Sequence, residues 1–399
     1  MNSSVVSYFS QSNEFLHVVG WLSKVLNFDA TSLVSFIIFA IFALIIVGVM
    51  ATIGGLGTYA ERKISADLQA RMGPNRVGPF GLLQFLADGV KMILKEDIIT
   101  ADADKFTFNL APVLCMIGVF ATLAVVPYSS GFMLADLNVG IFYLVGMASL
   151  VGVGVFLGGY ASNSKWSLLG GMRGASQIIS YEIPATITII SIVLLAGGLS
   201  MKTLINGQGG APQDWFMFHN PFAFIGFFVY FISALAETNR APFDLPEAES
   251  ELVSGYHTEY SGMKFGLFAL AEYIEVFVVC GVAVALFLGG YKVPFDLGTG
   301  ALLHDKLGLD SMISQNVGQL LELGAFFTKT LALYYVVIWV RWTLPRLRVD
   351  QLMTLCWKYL TPIAIFNLLG CAVWMYAFDG KSIFNLLFSA AAATGHGGH

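Results

Sequence analysis

Long apolar runs, separated by shorter stretches in which charge collects, set the layout of this chain. The first clear run, about 33–57, carries no charge and at 1.5 Å per residue is long enough to cross about 30 Å of hydrocarbon. Further runs fall near 108–126, 139–160, 175–199, 222–236, 265–290, 325–342 and 359–378, which makes eight predicted transmembrane helices. Pro112, Pro184 and Pro362 lie within or near the starts of these runs. Packed neighbours can satisfy the backbone groups that such prolines free, so they do not veto the assignment. Between the first two runs, FGLLQFLADGVKMILKEDII sets Gln84, Asp88, Lys91 and Lys95 at spacings of four, three and four, opposite Leu82, Leu86, Val90 and Ile93. That pattern predicts an amphipathic helix, too charged to span, lying along the interface or against another subunit. The expected architecture is all-α: an N-terminal segment 1–32, a polytopic membrane domain 33–378 and a tail 379–399.

Composition agrees with this layout. Of 399 residues, 56% are hydrophobic and 12% charged, against about 25% charged in soluble domains. A net charge of −5, thinly spread, leaves nucleic-acid binding without a footprint. Cys115, Cys280, Cys356 and Cys371 are far apart and form no CxxC pair, so the chain alone is not expected to hold zinc or an iron–sulfur cluster. No cleavable-signal pattern opens the chain, and the small, polar Gly/His tail is expected to be a disordered end. Lys and Arg decide orientation. The loop after the first span carries Arg62, Lys63, Arg71, Arg76, Lys91, Lys95 and Lys105. Later odd loops carry Lys165 and Arg173, Arg240 and Lys264, then Arg341, Arg346, Arg348 and Lys358, whereas the even side has only scattered lysines. Odd loops are therefore expected to be cytoplasmic, with both termini outside.

Candidate chemistry is acidic. ETNRAPFDLPEAESELVSGYHTEYSG, in the third odd loop, holds Glu237, Asp244, Glu247, Glu249, Glu251 and Glu259 against Arg240. Crowded carboxylates cannot all ionise cheaply and would titrate as a coupled group. Inside the spans lie Glu182, the pair Glu272 and Glu275 on one helical face, and Lys329. Charge at mid-bilayer costs about 2.5–3.5 kcal/mol on insertion scales, so such groups face a bundle interior or a wet cavity. A static network, Glu275 to Lys329, is the plain reading; proton holding is the functional one. In the first loop, GPNRVGP predicts a rigid turn presenting Arg76.

The acidic stretch, with AERK at 60–63, RMGPNRVGPFG at 71–81 and the span holding Tyr181 and Glu182, closely resembles the complex I subunit 1 family, to which the H subunits of bacterial NADH–quinone oxidoreductase belong. The resemblance covers about residues 30–378 and implies a non-autonomous subunit of a proton-translocating enzyme in the bacterial inner membrane. It implies a chamber for a quinone substrate (ubiquinone or menaquinone) at the junction with a peripheral arm whose other subunits hold FMN and iron–sulfur clusters. Membrane-arm subunits and lipid would be its other partners. Glu61, Arg62, Arg71, Arg76, Phe243, Asp244, Glu247, Glu249 and Glu251 would line the chamber. Glu182, Glu237, Glu272 and Glu275 would begin a buried path for protons. The N-terminal segment, the 291–324 loop and the tail take no family role. Two alternatives stand beside this reading. One is the homologous membrane subunit of a hydrogenase or formate-linked complex. The other is a stand-alone proton-coupled transporter, which predicts an inverted repeat that the sequence does not display.

Overall fold

The computed structural model describes residues 32–246, 249–294, 311–378 and 382–384, without the side chains of 32–43, 46, 249–250 and 311–315. The N-terminal segment, nearly all of the tail, Glu247 and the Glu249 side chain thus lie outside the described residues. The chain forms two compact units, 1–53 and 54–399; all packing below is within the second.

Every regular element among the described residues is helical. The main ones are α1 (Ser32–Leu68), α2 (Gln84–Leu94), α3 (Lys105–Leu123), α4 (Gly140–Ala161), α5 (Lys165–Ala196), α6 (Pro221–Glu237), α7 (Gly262–Phe287), α8 (Ser311–Thr343) and α9 (Val349–Phe378). Among the described residues, α3, α4, α5, α7, α8 and α9 are long and apolar enough to cross a membrane, while α6, with 17 residues, is shorter. The predicted first span lies inside the 37 residues of α1. The fold is therefore the polytopic, all-helical one expected, with six long apolar helices and one shorter one among the described residues.

Local chemistry sets several boundaries. Asp104 caps α3 by accepting from Phe106 N at 3.3 Å, and Asn220 caps α6 by accepting from Ala223 N, with Pro221 at the first helical position. Gly197, at φ 71°, closes α5 in the left-handed conformation. Pro112 and Pro184 sit inside α3 and α5 without ending them. α5 is the hub, packing on α4, α6 and α9, while α7 packs on α3 and α8. Where α4 crosses α5, a Cβ on Gly159 would fall 2.9 Å from Gly171 Cα, so small residues set that approach. From Ile274 to Phe287, α7 is almost wholly buried.

Candidate functional site

The ends of two helices and a loop, all distant in sequence, meet in one buried ion cluster. Glu61, near the end of α1, accepts from Arg240 Nη1 at 2.7 Å through Oε2 and from Arg341 Nη1 through Oε1. Glu61 is 5% and Arg240 6% exposed. The Arg240 guanidinium lies 4.1 Å from the centre of the Tyr273 ring, a cation–π contact in a desolvated setting. Burial pulls its pKa down, but Glu61, then Tyr273, Glu272 and Tyr334, more than reverse that. Arg240 is thus a permanent charge that no accessible pH removes.

The third loop is clamped from α5. Gln177, fully buried, donates through Nε2 to Ala236 O (2.8 Å), Phe243 O (2.7 Å) and Asn239 Oδ1 (3.2 Å). Phe243 is buried with its ring 5.7 Å from that of Tyr181. Arg346 donates to Asp244 at 3.0 Å and Arg173 to Glu251 at 2.7 Å. Asp244 and Glu251 are thus each paired with a guanidinium, one from the segment after α8 and one from α5. Glu237 lines a cavity in the bundle interior, and residues 249–252 form a short helix. Gln177→Leu leaves two buried carbonyls and an amide oxygen short of a donor, at about 1–3 kcal/mol per group left unsatisfied. The expected outcome is faster protease cleavage between Ala241 and Val253, read by mass spectrometry, with the helices still intact.

In the first loop, adjacent residues diverge. Glu61 faces inward, whereas Arg62 points out to Asp88 at 2.5 Å, and Asp88 also takes Lys91 at 3.1 Å. Partial burial raises the Asp88 pKa, but hydrogen bonds from Lys91 and Arg62 and their charges win, and the net shift is downward. Its tether therefore acts above the ordinary carboxylate pKa and fades as pH falls through the lowered one; exposure keeps its worth to about 1 kcal/mol or less. Helix α2 turns the Asp88 side of its surface, with Phe85 and Met92, toward the chain. Leu86, Val90, Ile93 and Leu94 face out, 53–80% exposed, as an interfacial helix requires. Arg71 and Arg76 are exposed, the latter in the predicted tight turn, where Gly78 takes φ 72°.

Behind the loop cluster lies a cavity of about 40 Å³, with room for about three water molecules. Its wall includes Glu182 on α5, Glu237 on α6 and Glu275 on α7, with Tyr230 and Thr122. Glu272 stands apart: it accepts from Tyr256 O–H at 2.8 Å through Oε1 and lies in the field of Arg240. The suggested Glu275–Lys329 pair does not form. Lys329 instead donates to the carbonyls of Leu288, Gly290 and Lys292 at 2.8–3.1 Å and lies 4.8 Å from the Trp215 ring. It is a positive charge at the C-terminal end of α7, where the helix dipole favours one. Sequence reasoning missed Gln177, Arg341 and Tyr256. A lone glutamine in an apolar span was a usable signal for the first; nothing local signals the other two.

Fold and site together define a polytopic membrane protein with three carboxylates on an otherwise largely apolar interior cavity and one end braced by buried charge. The family described as NADH dehydrogenase matches it over residues 39–372. It is 47% identical over 336 residues to the NADH-quinone oxidoreductase H subunit of Anaeromyxobacter dehalogenans, covering 84% of this chain and 81% of that protein. The corresponding H subunit of Chlorobaculum tepidum is 50% identical over 323 residues (80% and 87%). "NADH-quinone oxidoreductase subunit 8" of Rhodothermus marinus is 45% identical over 342 residues (85% and 98%). The chain belongs to this family of NADH–quinone oxidoreductase H subunits.

Proposed function

We propose that this chain is the membrane subunit through which a proton-translocating NADH–quinone oxidoreductase admits quinone and couples its reduction to proton movement. The observation that carries the proposal is the adjacency of two features. The Glu61–Arg240–Arg341 cluster joins the first and third loops and the end of α8. The cavity shared by Glu182, Glu237 and Glu275 lies behind it, and the charge of Glu272 reaches both Arg240 and Glu275.

In this reading the first loop, with Glu61, Arg62, Arg71 and Arg76, and the third, with Phe243, Asp244, Glu247, Glu249 and Glu251, wall the quinone chamber. The quinone takes two electrons from a cluster held by a neighbouring subunit and two protons, and leaves as quinol. Charge that builds on it before the protons arrive acts on the loop acids first. The change then passes through Glu237, Glu182, Glu272 and Glu275 toward the rest of the membrane arm. The fixed charge of Arg240 gives those carboxylates a constant reference field. The basic loops face the cytoplasm of a bacterial inner membrane and dock the peripheral arm; both termini lie on the opposite side.

Purification of the affinity-tagged chain from native membranes tests this identity. The expected preparation oxidises NADH, contains flavin, iron–sulfur subunits and a lipophilic quinone, and reduces added quinone. Recovery with a nickel–iron catalytic subunit, or of the chain alone as an active transporter, would contradict it.

A further inference from the structure

After the short helix Glu249–Leu252 the third loop turns tightly at 255–257, with Gly255 at φ 64°. Here Tyr256 is fixed on every side. Ser167 Oγ on α5 donates to its carbonyl at 2.7 Å. Beside it, Gly170 lets the backbones approach so closely that a Cβ there would lie 2.7 Å from Tyr256 N. The Tyr256 ring packs edge-on against Phe268 of α7 at 5.3 Å and against His257 at 5.0 Å, and is 1% exposed. Its hydroxyl ends on Glu272 Oε1, 2.8 Å away and four residues past Phe268, so one face of α7 receives both ring and hydroxyl.

We propose that Tyr256 is the positioning residue that joins the acidic third loop to the membrane carboxylates, by holding the Glu272 carboxylate through its hydroxyl. This rests on the coupling role proposed above for Glu272. The backbone of Tyr256 is tied to α5 and its side chain to α7, so any shift of the third loop that moves Tyr256 acts on the Glu272 carboxylate. Glu272 in turn sits three residues from Glu275, which feels its charge together with those of Glu237 and Arg240. A hydrogen bond to a charged group biases the orientation of its acceptor by roughly tenfold, enough to decide which of two arrangements the carboxylate keeps.

The same loop supplies its own control. Tyr260 is also buried, stacks on Phe108 at 4.0 Å and donates at 3.2 Å, but to the Phe108 backbone carbonyl rather than to an acid. Tyr256→Phe and Tyr260→Phe therefore remove similar hydroxyls from similarly packed rings, and only the first touches a carboxylate.

The test uses the intact complex in sealed vesicles. NADH oxidation by an artificial acceptor normalises for assembly, and protons moved per electron delivered to quinone are the readout. Tyr256→Phe is expected to lower that ratio by about twofold or more, Tyr260→Phe to leave it unchanged, and Tyr256→Phe with Glu272→Gln to match Glu272→Gln alone. A wild-type ratio in Tyr256→Phe beside a lowered one in Glu272→Gln would overturn the assignment to Tyr256 and spare the coupling role of Glu272. A wild-type ratio in Glu272→Gln would overturn both. Parallel loss of assembly and acceptor activity in Tyr256→Phe, at an unchanged ratio, would reduce the residue to a packing element and also overturn the proposal.

Discussion

Glu61→Gln is expected to destabilise the loop end of this protein by about 3–5 kcal/mol, the range for removing one partner of a buried pair. Two guanidiniums depend on that one carboxylate, and Arg240 has almost no solvent to fall back on. At least roughly a hundredfold in the local folding equilibrium is at stake. The neighbouring changes should rank in a definite order. Arg240→Met leaves Glu61 with Arg341, so its effect should be smaller. Arg341→Met leaves the fully buried Glu61–Arg240 pair in place. The lost Arg341 side chain is 29% exposed, so that change should cost only about 1 kcal/mol. Replacing Glu61 and Arg240 together by apolar residues should recover much of the stability and none of the charge. The thermal midpoint of the purified complex and the amount of complex recovered from membranes measure this order directly. Equal effects from Glu61→Gln and Arg341→Met would mean that the cluster is not organised around Glu61.

The second large effect concerns function more than folding. Glu237→Gln keeps shape and hydrogen-bonding capacity in the cavity it shares with Glu182 and Glu275. The cost to the fold should therefore be about 1 kcal/mol or less. What it removes is a group able to take up and release a proton between the loop cluster and the bundle interior. A proton-transfer step deprived of its carboxylate slows by roughly 10²–10⁴-fold. Translocation that passes through Glu237 should then fail while electron entry persists. The loop salt bridges of Asp244 and Glu251 lie outside that cavity.

Much of the fold was legible because long apolar runs survive any tertiary rearrangement. The predicted run 139–160 became Gly140–Ala161, and 222–236 became Pro221–Glu237. Helix α2 was legible for a related reason, since a period of 3.6 residues is local information. Which way its faces would turn was only partly legible, because outward Leu86 and Val90 make sense only against lipid or a partner. The site was legible as residue types and not as pairings. Arg341 reaches Glu61 across 280 positions, and Arg173 reaches Glu251 across 78, and no spacing rule carries such contacts. The partners of Asp244 and Glu251 come from segments read separately from the acidic stretch. Lys329 misled: as a charge inside a span, like the acids, it suggested a carboxylate partner, whereas the end of α7 offered three carbonyls.

The measurement that bears most directly on the coupling role is the number of protons moved per electron in sealed vesicles containing the Glu237→Gln complex, taken alongside NADH–quinone turnover and flavin-site oxidation by an artificial acceptor. Wild-type flavin-site activity is expected, with protons per electron lowered by about twofold or more as the transfer step slows. A wild-type proton ratio at wild-type quinone turnover would contradict that role.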